Sequence, residues 1–527
     1  MNHKSLLTLM ALLAGSAVFP RCADAQQPYF ISDGRKVLID TFNTGIQRMM
    51  DDIGIPGMSL AVIEDNKVVY HRNYGYKNID TKEPVDQSTI FEAASLSKSY
   101  LVYSVFKLVE KGILDLDKPM YQYMPYPLLE HDQRYKRITP RMILCHSSGI
   151  ENWMEYNIPD TLEIESDPGT KYVYSGEAYN YLSKVVALLL HESYEEYTKE
   201  IVLDPLGLKN SSLKFREMPA GSPHPYEPSD YALGHDILEK QTGKWFNTDA
   251  VPSSANNVTA GDYAKLIVAI FDHRHLSDKS IRTILGGRTV TRLNDDGKAY
   301  YFGCGFEVIF TGGDTIISHG GSNPGFKNMI FYSVKSKRGF VYLTNSDRGR
   351  LVASRLSAMT AGLYLHQYFG DFGDEQYPSL SNDLLSVYRK KDTLAMYAAI
   401  EKCRKEGMLT AKVMEDLGEE LIHYNLPAGE RVLEEGQQLF PESSRVYWLL
   451  GLSHMYMDDF DNAYAYYLKA RDLKFNAAQI ADDLKKSAVR MNEAAKRKAL
   501  ITRIGPDRKD TLQAEDYYAQ HGIVQQA

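Results

Sequence analysis

Two groups of strand-forming segments, separated by a long helix-rich stretch, constrain the fold more than any other feature of this sequence. The first group is a hairpin in which residues 58–63 and 68–70 flank a turn at 65–66. Four further strand candidates, separated by Gly-rich or Lys-rich turns, follow at residues 305–310, 315–318, 329–332 and 340–344. The pattern predicts one antiparallel sheet assembled from both ends of a domain at 57–372. A helical insertion lies between the two groups, which is an α+β arrangement.

The chain changes character after about residue 376. Strand signals stop there, and Glu, Lys, Leu, Ala and Tyr recur at helical spacing. Small and aromatic residues stand where a tetratricopeptide unit places its packing residues, namely Leu450, Gly451, Ala463, Tyr467 and Ala470. Residues 376–527 are therefore predicted to form an all-α, tetratricopeptide-like domain that offers a surface to a protein partner. A generic helical bundle that caps the first domain is the alternative.

The N-terminus predicts export. Lys4 precedes an apolar run at residues 6–18, and the small-x-small pattern at 23–25 is typical of a signal-peptidase site. Residues 1–25 are therefore predicted to be a signal peptide, which implies a periplasmic or secreted protein. A retained anchor is the weaker alternative, because the run falls short of the roughly 20 apolar residues that cross a bilayer. Lipidation at Cys22 is disfavoured by the bulky and charged residues before it.

Charge and ligand chemistry exclude several classes of function. The chain carries a formal net charge of −8 and no polybasic run, so nucleic acid is not an expected partner. Beyond the signal segment no apolar stretch is long enough to span a bilayer, and no transmembrane anchor is expected in the mature chain. Neither His-Glu-x-x-His nor paired Cys-x-x-Cys motifs occur, so neither a metal nor another cofactor is predicted.

A serine and a lysine three residues apart stand at the start of an amphipathic segment, residues 99–111. If the helix begins around Ser95, then Ser95 and Lys98 share one face and the ammonium lies beside the hydroxyl. A serine hydroxyl is barely ionised at neutral pH, so a nucleophilic serine needs such a neighbour. The spacing alone is weak, since a serine at a helix start is more often an N-cap. Ser211 and Lys214 repeat the spacing without supporting context.

Two further motifs follow this pair in order. Tyr174 lies just before a predicted helix at residues 178–190, and His319 opens a His-Gly-Gly sequence after a strand candidate. Each has an ordinary explanation, since tyrosine is more often a packing residue and histidine before two glycines usually belongs to a turn. Together the three motifs resemble those of the serine β-lactamase and penicillin-binding-protein superfamily. They are most similar to its class C-like branch of D-alanyl-D-alanine carboxypeptidases, D-aminopeptidases and β-lactamase-like esterases, over residues 50–372.

The resemblance implies a fold and a nucleophile. Residues 26–375 are expected to adopt a β-lactamase/transpeptidase-like fold, an antiparallel sheet flanked by helices with a helical subdomain. Ser95 is then the nucleophile that attacks the carbonyl, and Lys98 takes part in the transfer of its proton. Tyr174 answers to the family's Tyr-x-Asn tyrosine, a general base that later serves as acid. A tyrosinate at neutral pH needs nearby positive charge, for which Lys98 is the obvious source.

A third motif is expected to line the same cleft. By resemblance, His319, Gly320 and Gly321 take the place of the family's Lys-Thr-Gly on a strand. Glycines at this place permit close approach of a substrate to the strand backbone. The backbone N–H groups of Ser95 and Ser322 would then form the oxyanion hole.

Two departures from the family pattern bear on the substrate. Gly176 stands where the family commonly has an asparagine that binds the acylamide of peptides and β-lactams, and a neutral His319 holds a carboxylate less firmly than a lysine does. The sequence therefore predicts an exported serine hydrolase that acts through an acyl-enzyme on small esters or on D-amino-acid peptides and amides. The alternative is a catalytically weak or silent member that binds peptidoglycan-like ligands and recruits a partner through its helical tail.

Overall fold

A computed structural model describes most of the chain between residues 28 and 504. The described ranges are 28–154, 161–215, 230–242, 249–286, 289–293, 299–311, 313–360 and 377–504. The predicted signal peptide, the domain boundary predicted at 375/376 and the end of the tail lie outside these ranges. All three stay predictions.

The described strands are short, except for those at the centre of the main sheet. They are β1 (Tyr29–Ser32), β2 (Arg35–Leu38), β3 (Gly57–Glu64), β4 (Lys67–Asn78), β5 (Glu83–Pro84), β6 (Phe91–Glu92), β7 (Ser211–Ser212), β8 (Asn257–Val258), β9 (Thr289–Leu293), β10 (Ala299–Phe302), β11 (Glu307–Thr311), β12 (Asp314–Asn323), β13 (Phe326–Ser333) and β14 (Arg338–Thr344). β1 and β2 form a separate hairpin.

The described helices fall into those of the first domain and those of the tail. They are α1 (Ile39–Ile53), α2 (Lys98–Glu110), α3 (Pro140–Leu144), α4 (Gly176–Leu190), α5 (Tyr194–Thr198), α6 (Asp204–Leu206), α7 (Ala260–Phe271), α8 (Asp278–Gly286), α9 (Val352–Met359), α10 (Leu380–Lys390), α11 (Thr393–Lys405), α12 (Ala411–Tyr424), α13 (Leu426–Leu439), α14 (Ser444–Tyr456), α15 (Phe460–Asp472) and α16 (Ala477–Ile504). Within the described ranges, no helix combines the length and the apolar character that a bilayer crossing requires.

Nine strands form one antiparallel sheet in the order β5-β4-β3-β14-β13-β12-β11-β10-β9. The pairing of β3 with β14 joins the first strand group to the last, with Leu60 opposite Tyr342. Helices α2 to α8 lie between the two strand groups in sequence. The single sheet built from both ends of the domain is therefore confirmed. β9 and β10, which the sequence pattern does not predict, extend this sheet at one edge.

Helices cover both faces of the sheet because its central strands are apolar on both sides. In β3, Ala61 and Ile63 belong to a core that includes residues of α2 and α7. Leu60 and Val62 belong to a second core that includes residues of α1 and α9. Side chains alternate between the two faces of a strand, so an uninterrupted apolar run is what a strand buried on both faces requires.

A second, three-stranded sheet, β6-β8-β7, lies beside the start of α2. β6 pairs with β8 through Phe91 and Val258. Next to β8, the backbone N–H of Asn256 donates to Ser97 Oγ (3.0 Å) in the segment that joins β6 to α2. This small sheet therefore fixes the segment that carries Ser95.

The described residues of the tail form helices and their connections. α12 packs against α13, and α14 packs against α15. Gly451 on α14 lies directly against the ring of Tyr467 on α15. The tail shares a core with the first domain, because Ile237 packs among tail residues such as Leu384. The all-helical character of the tail is thus confirmed, while its tetratricopeptide likeness stays a prediction.

Gly451→Ala tests the contact between α14 and α15. A Cβ at Gly451 would lie 2.5 Å from ring carbons of Tyr467. This overpacking should lower the free energy of unfolding by about 1–3 kcal/mol, measured by urea unfolding followed by circular dichroism. Gly286→Ala on α8 is the control, because a Cβ there meets no atom within 4 Å. Equal stability of both variants would contradict the described packing.

Candidate active site

Ser95 lies in a tight turn between β6 and α2. Ala94, just before it, has a φ of +50°, a left-handed conformation that residues with a side chain rarely adopt. A short 3-10 turn, Ala94–Ser97, then leads into α2, which begins at Lys98. The α-helix therefore begins within one residue of the predicted segment 99–111, and Ser95 precedes it in the 3-10 turn. Strained backbone of this kind is concentrated at functional sites.

Lys98 is fully buried next to Ser95. Its Nζ donates to the carbonyl of Ser253 (2.8 Å) and lies 3.4 Å from Ser95 Oγ. The ring centroids of Tyr174 and Tyr179 lie 4.8 and 5.5 Å from the same nitrogen. One carbonyl and two aromatic faces thus stabilise the ammonium. The structure brings the predicted serine and lysine together.

The start of α4 positions Tyr174. Ser175 caps this helix, since its Oγ accepts from the N–H of Ala178 (2.9 Å). The N–H of Ser175 donates to Nδ1 of His146 (3.1 Å). With Ser175 held in this way, the Tyr174 ring packs against the His146 ring at a centroid distance of 4.2 Å. Tyr174 lines the same cavity as Ser95.

His146 belongs to the structural support of the site, although no local signal marks it. In the sequence, His146 opens a polar His-Ser-Ser-Gly phrase that suggests a structural turn. Because Nδ1 accepts a hydrogen bond, Nε2 carries the hydrogen of the neutral ring. Burial, with the charge of Lys98, lowers the pKa of His146 well below its usual value. His146 therefore supports Tyr174 as a neutral ring.

His319 lies on β12 and is 3% exposed. Its Nδ1–H donates to the carbonyl of Gly320 (2.7 Å), so Nε2 carries the lone pair of the neutral ring. Burial and the positive charge of Lys98 lower the pKa of His319 to about 3. At physiological pH this side chain is therefore a neutral ring on the cavity wall, where a lysine would present a cation.

The end of β12 supplies backbone groups to the site. β11 pairs with β12 only as far as Ser318, so the residues after it have one edge without a strand partner among those described. Gly320, Gly321 and Ser322 in this stretch line the cavity. A Cβ at Gly321 would collide with the carbonyl of Ala93. Glycine at this position therefore lets β12 approach the turn that carries Ser95.

These groups surround a cavity of about 630 Å³, a size that suits a small molecule. Six of the seven predicted site residues line it, and the buried Lys98 lies behind its wall. Tyr172, two residues before Tyr174, also lines the cavity. Other lining residues lie outside the motifs, so motif spacing does not reveal them: Asn152, Trp153, Phe302, Glu307 and Arg350. The predicted residues thus form one site, which is larger than the motifs indicate.

Trp153 explains the glycine at position 176. A Cβ at Gly176 would lie 2.6 Å from the Trp153 ring, so any side chain at this position requires that ring to move. Asn152 lines the cavity close by, and its Oδ1 accepts from the N–H of Gly176 (2.9 Å). The cavity therefore contains a side-chain amide, supplied by Asn152.

Comparisons with known proteins show what the chain is similar to. The family model described as Beta-lactamase matches residues 42–363. Penicillin-binding protein 4* of Bacillus subtilis (strain 168) is 23% identical over 319 residues, which cover 55% of this chain and 68% of the relative. Protein flp of Staphylococcus aureus (strain NCTC 8325 / PS 47) is 22% identical over 312 residues, which cover 55% of this chain and 60% of the relative. The chain thus spans less than two thirds of the staphylococcal protein.

A solved structure supports the fold alone. The structure of a class C beta-lactamase is 21% identical, with a TM-score of 0.50, and the alignment covers 61% of this chain and 94% of that one. The β-lactamase/transpeptidase-like fold expected from the sequence is thereby confirmed. The described tail helices, from residue 380 onward, lie beyond the range of the family match.

The neutral His319 makes folding stability depend on pH. An unfolded histidine binds a proton near pH 6.5, whereas folded His319 does so only near pH 3. Between these values the unfolded state binds more protons than the folded state. The stabilisation that a neutral His319 gives the folded state is therefore fully present above pH 6.5 and is lost as the pH falls towards 3. His319→Gln should therefore lose less thermal stability between pH 7 and pH 4.5 than the wild type, measured by differential scanning fluorimetry.

His131→Gln is the control for this measurement, because His131 is exposed. It should follow the wild type over the same pH range. An identical loss of stability in His319→Gln and in the wild type would contradict a buried neutral imidazole.

Proposed function

Because the chain belongs to the beta-lactamase family of serine hydrolases, whose model matches residues 42–363, we propose that it is an exported enzyme that forms an acyl-enzyme at Ser95. Its proposed substrates are small esters or D-amino-acid peptides and amides. One observation carries the proposal. Ser95 Oγ lies 3.4 Å from Lys98 Nζ, beside a cavity that Tyr174 and the unpaired edge of β12 also line. A nucleophile, groups for proton transfer and backbone donors therefore meet in one site.

In the acylation step, Ser95 Oγ attacks the carbonyl carbon of the substrate. Tyr174, whose ring centroid lies 4.8 Å from Lys98 Nζ, accepts the hydroxyl proton. The N–H groups of Ser95 and Ser322 stabilise the charge that develops on the carbonyl oxygen, each by about 3 kcal/mol. Tyr174 then passes its proton to the leaving alcohol or amine as the bond to the acyl carbon breaks.

Deacylation uses the same groups with water as the nucleophile. Tyr174 accepts a proton from the water molecule as its oxygen attacks the acyl carbon. The same two N–H groups stabilise the second tetrahedral intermediate. The ester bond to Ser95 breaks, Tyr174 returns the proton to Ser95 Oγ, and the carboxylic acid leaves the cavity.

Features of the cavity wall favour substrates without a carboxylate. His319 is a neutral ring and so offers no positive charge to a substrate anion. Asn152 supplies an amide that suits an acylamide or ester carbonyl. Trp153 adds an apolar surface beside Gly176. Small neutral esters and amides fit these three residues better than penicillin-like anions do, while Arg350 and Glu307 add one charge of each sign to the wall.

The remaining parts of the proposal concern location and partners. Residues 1–25 are proposed to direct export to the periplasm or the medium, on the basis of their apolar run and small-x-small pattern. The helical tail is proposed to offer a surface to a protein partner, on the basis of its paired helices.

Ser95→Ala tests the nucleophile directly. The wild-type protein should gain one fluorophosphonate adduct per chain, and Ser95→Ala should gain none. Hydrolysis of a p-nitrophenyl ester should fall by at least about 1,000-fold in the same variant, because the acyl-enzyme can no longer form. Intact-mass spectrometry and absorbance at the p-nitrophenolate band measure the two effects.

Ser211→Ala is the matched control, because Ser211 and Lys214 repeat the Ser-x-x-Lys spacing on and after a strand. Lys214 pairs with Glu195 at 2.8 Å there. This variant should label like the wild type. If the fluorophosphonate does not label the folded wild-type protein, the hydrolase proposal is wrong and the silent, ligand-binding alternative is favoured.

His319→Lys tests the substrate preference. An ammonium at this position should raise kcat/KM for a carboxylate-bearing ester relative to its neutral methyl ester by about tenfold, which corresponds to about 1.4 kcal/mol. The ratio is measured with the two esters under identical conditions. His319→Gln, which adds no charge, should leave the ratio near that of the wild type. An unchanged ratio in His319→Lys would place the acyl substituent away from this residue.

A further inference from the structure

The turn between β12 and β13 forms part of the cavity wall, and one carboxylate fixes both of its ends. Asp347 Oδ1 accepts from the N–H of Gly325 (2.9 Å) and from Lys327 Nζ (2.7 Å). Lys327 Nζ also donates to the carbonyl of Asn323 (3.1 Å), at the other end of the turn. The side chains of Lys327 and Asp347 are 17% and 10% exposed, so bulk water screens this ion pair weakly.

The second oxygen of Asp347 is bound from the helical tail. Tyr424, the last residue of α12, donates from Oη to Asp347 Oδ2 (3.0 Å). Partial burial, which leaves Tyr424 38% exposed, and the neighbouring Asp347 charge raise the pKa of Tyr424, so the phenol remains a donor at neutral pH. Asp347 therefore connects a tail helix to the cavity wall through two consecutive hydrogen bonds.

The residue after Asp347 holds the same helix in place. Arg348 is 3% exposed and donates to Glu420 Oε2 on α12 (2.6 Å) and to Asn382 Oδ1 on α10 (2.7 Å). A buried guanidinium with two such partners strongly restricts where both helices lie. Glu420 and Tyr424 are four residues apart and thus lie on one face of α12. That face contacts residues 347 and 348.

Close packing couples this segment to β13. A Cβ at Gly349 would collide with the carbonyl of Lys327 and with Thr344 Oγ1. The segment after β14 therefore lies directly on the start of β13, with no room for a side chain between them. A shift of residues 347–349 has to move the start of β13 and the turn before it.

We infer that the helical tail positions the wall of the active site, and that Tyr424 is a positioning residue that acts through Asp347 on the turn next to Ser322. The inference rests on the proposed acyl transfer at Ser95. A displaced turn moves the Ser322 N–H away from the oxyanion. This donor acts mainly on the transition state, so its displacement lowers kcat and leaves KM nearly unchanged.

Tyr424→Phe tests the inference, because it removes one hydroxyl and keeps the ring. The full-length variant should show a kcat about tenfold lower with p-nitrophenyl butyrate and a KM within about twofold of the wild type. The fluorophosphonate should still label one site per chain, but more slowly. Deuterium uptake in peptides covering residues 320–328 should be faster than in the wild type.

Tyr397→Phe is the matched control, since it makes the same chemical change within the tail. The Tyr397 ring packs against Arg431 at 3.9 Å, away from Asp347 in sequence and on another helix. This variant should keep the wild-type kcat, labelling rate and deuterium uptake. A merely structural effect of losing a tail hydroxyl would change thermal stability in both variants and leave the kcat of the correctly folded fraction unchanged.

Each outcome decides the inference. Wild-type kcat and deuterium uptake in Tyr424→Phe would overturn it. A wild-type protein that is not labelled at Ser95 would overturn the proposed function. In that case the deuterium uptake of Tyr424→Phe still decides the inference, because unchanged uptake at residues 320–328 would overturn the positioning of the cavity wall by the tail. If Tyr424→Phe does not fold, Glu420→Gln takes its place. It weakens the docking of α12 at Arg348 and should lower kcat and speed deuterium uptake in the same way.

Discussion

The buried ammonium of Lys98 is the interaction on which the site depends. Taking an ion out of water costs several kcal/mol, and here the Ser253 carbonyl at 2.8 Å and two tyrosine rings compensate for the lost water. Burial, together with the same positive charge, keeps His146 and His319 neutral. Ser95 Oγ completes the surroundings of the ammonium. The elements that carry the motif residues are thus held around a single cation.

Local sequence patterns predict the elements that have strong periodicity and clear ends. The strands predicted at 329–332 and 340–344 lie within β13 and β14, and the helix predicted at 99–111 agrees with α2 to within one residue at each end. β9 at the edge of the sheet and β10 beside it are not predicted by the sequence pattern, and each is held in the sheet by pairing with its neighbours. Family resemblance, not sequence spacing, predicts that the three motifs line one cleft.

Contacts between distant segments account for what the sequence does not predict. The Trp153 ring occupies the space that a side chain at Gly176 would need, and this contact exists only in the folded chain. The positive φ of Ala94 depends on the sheet that holds the turn. Asp347 and Tyr424 are 77 residues apart, and each is an ordinary polar residue in its own segment. Packing and hydrogen bonds between distant segments determine such positions, so a local sequence pattern cannot predict them.

The position of Trp153 has an optical consequence. Its ring lies on the cavity wall and is 47% exposed, so its indole is in contact with solvent when the cavity holds water. Indole emission responds to the polarity around the ring, and an apolar group that displaces this water changes that polarity. Binding of a ligand in the cavity should therefore change the intrinsic fluorescence of Trp153, so that binding is detectable without an attached dye.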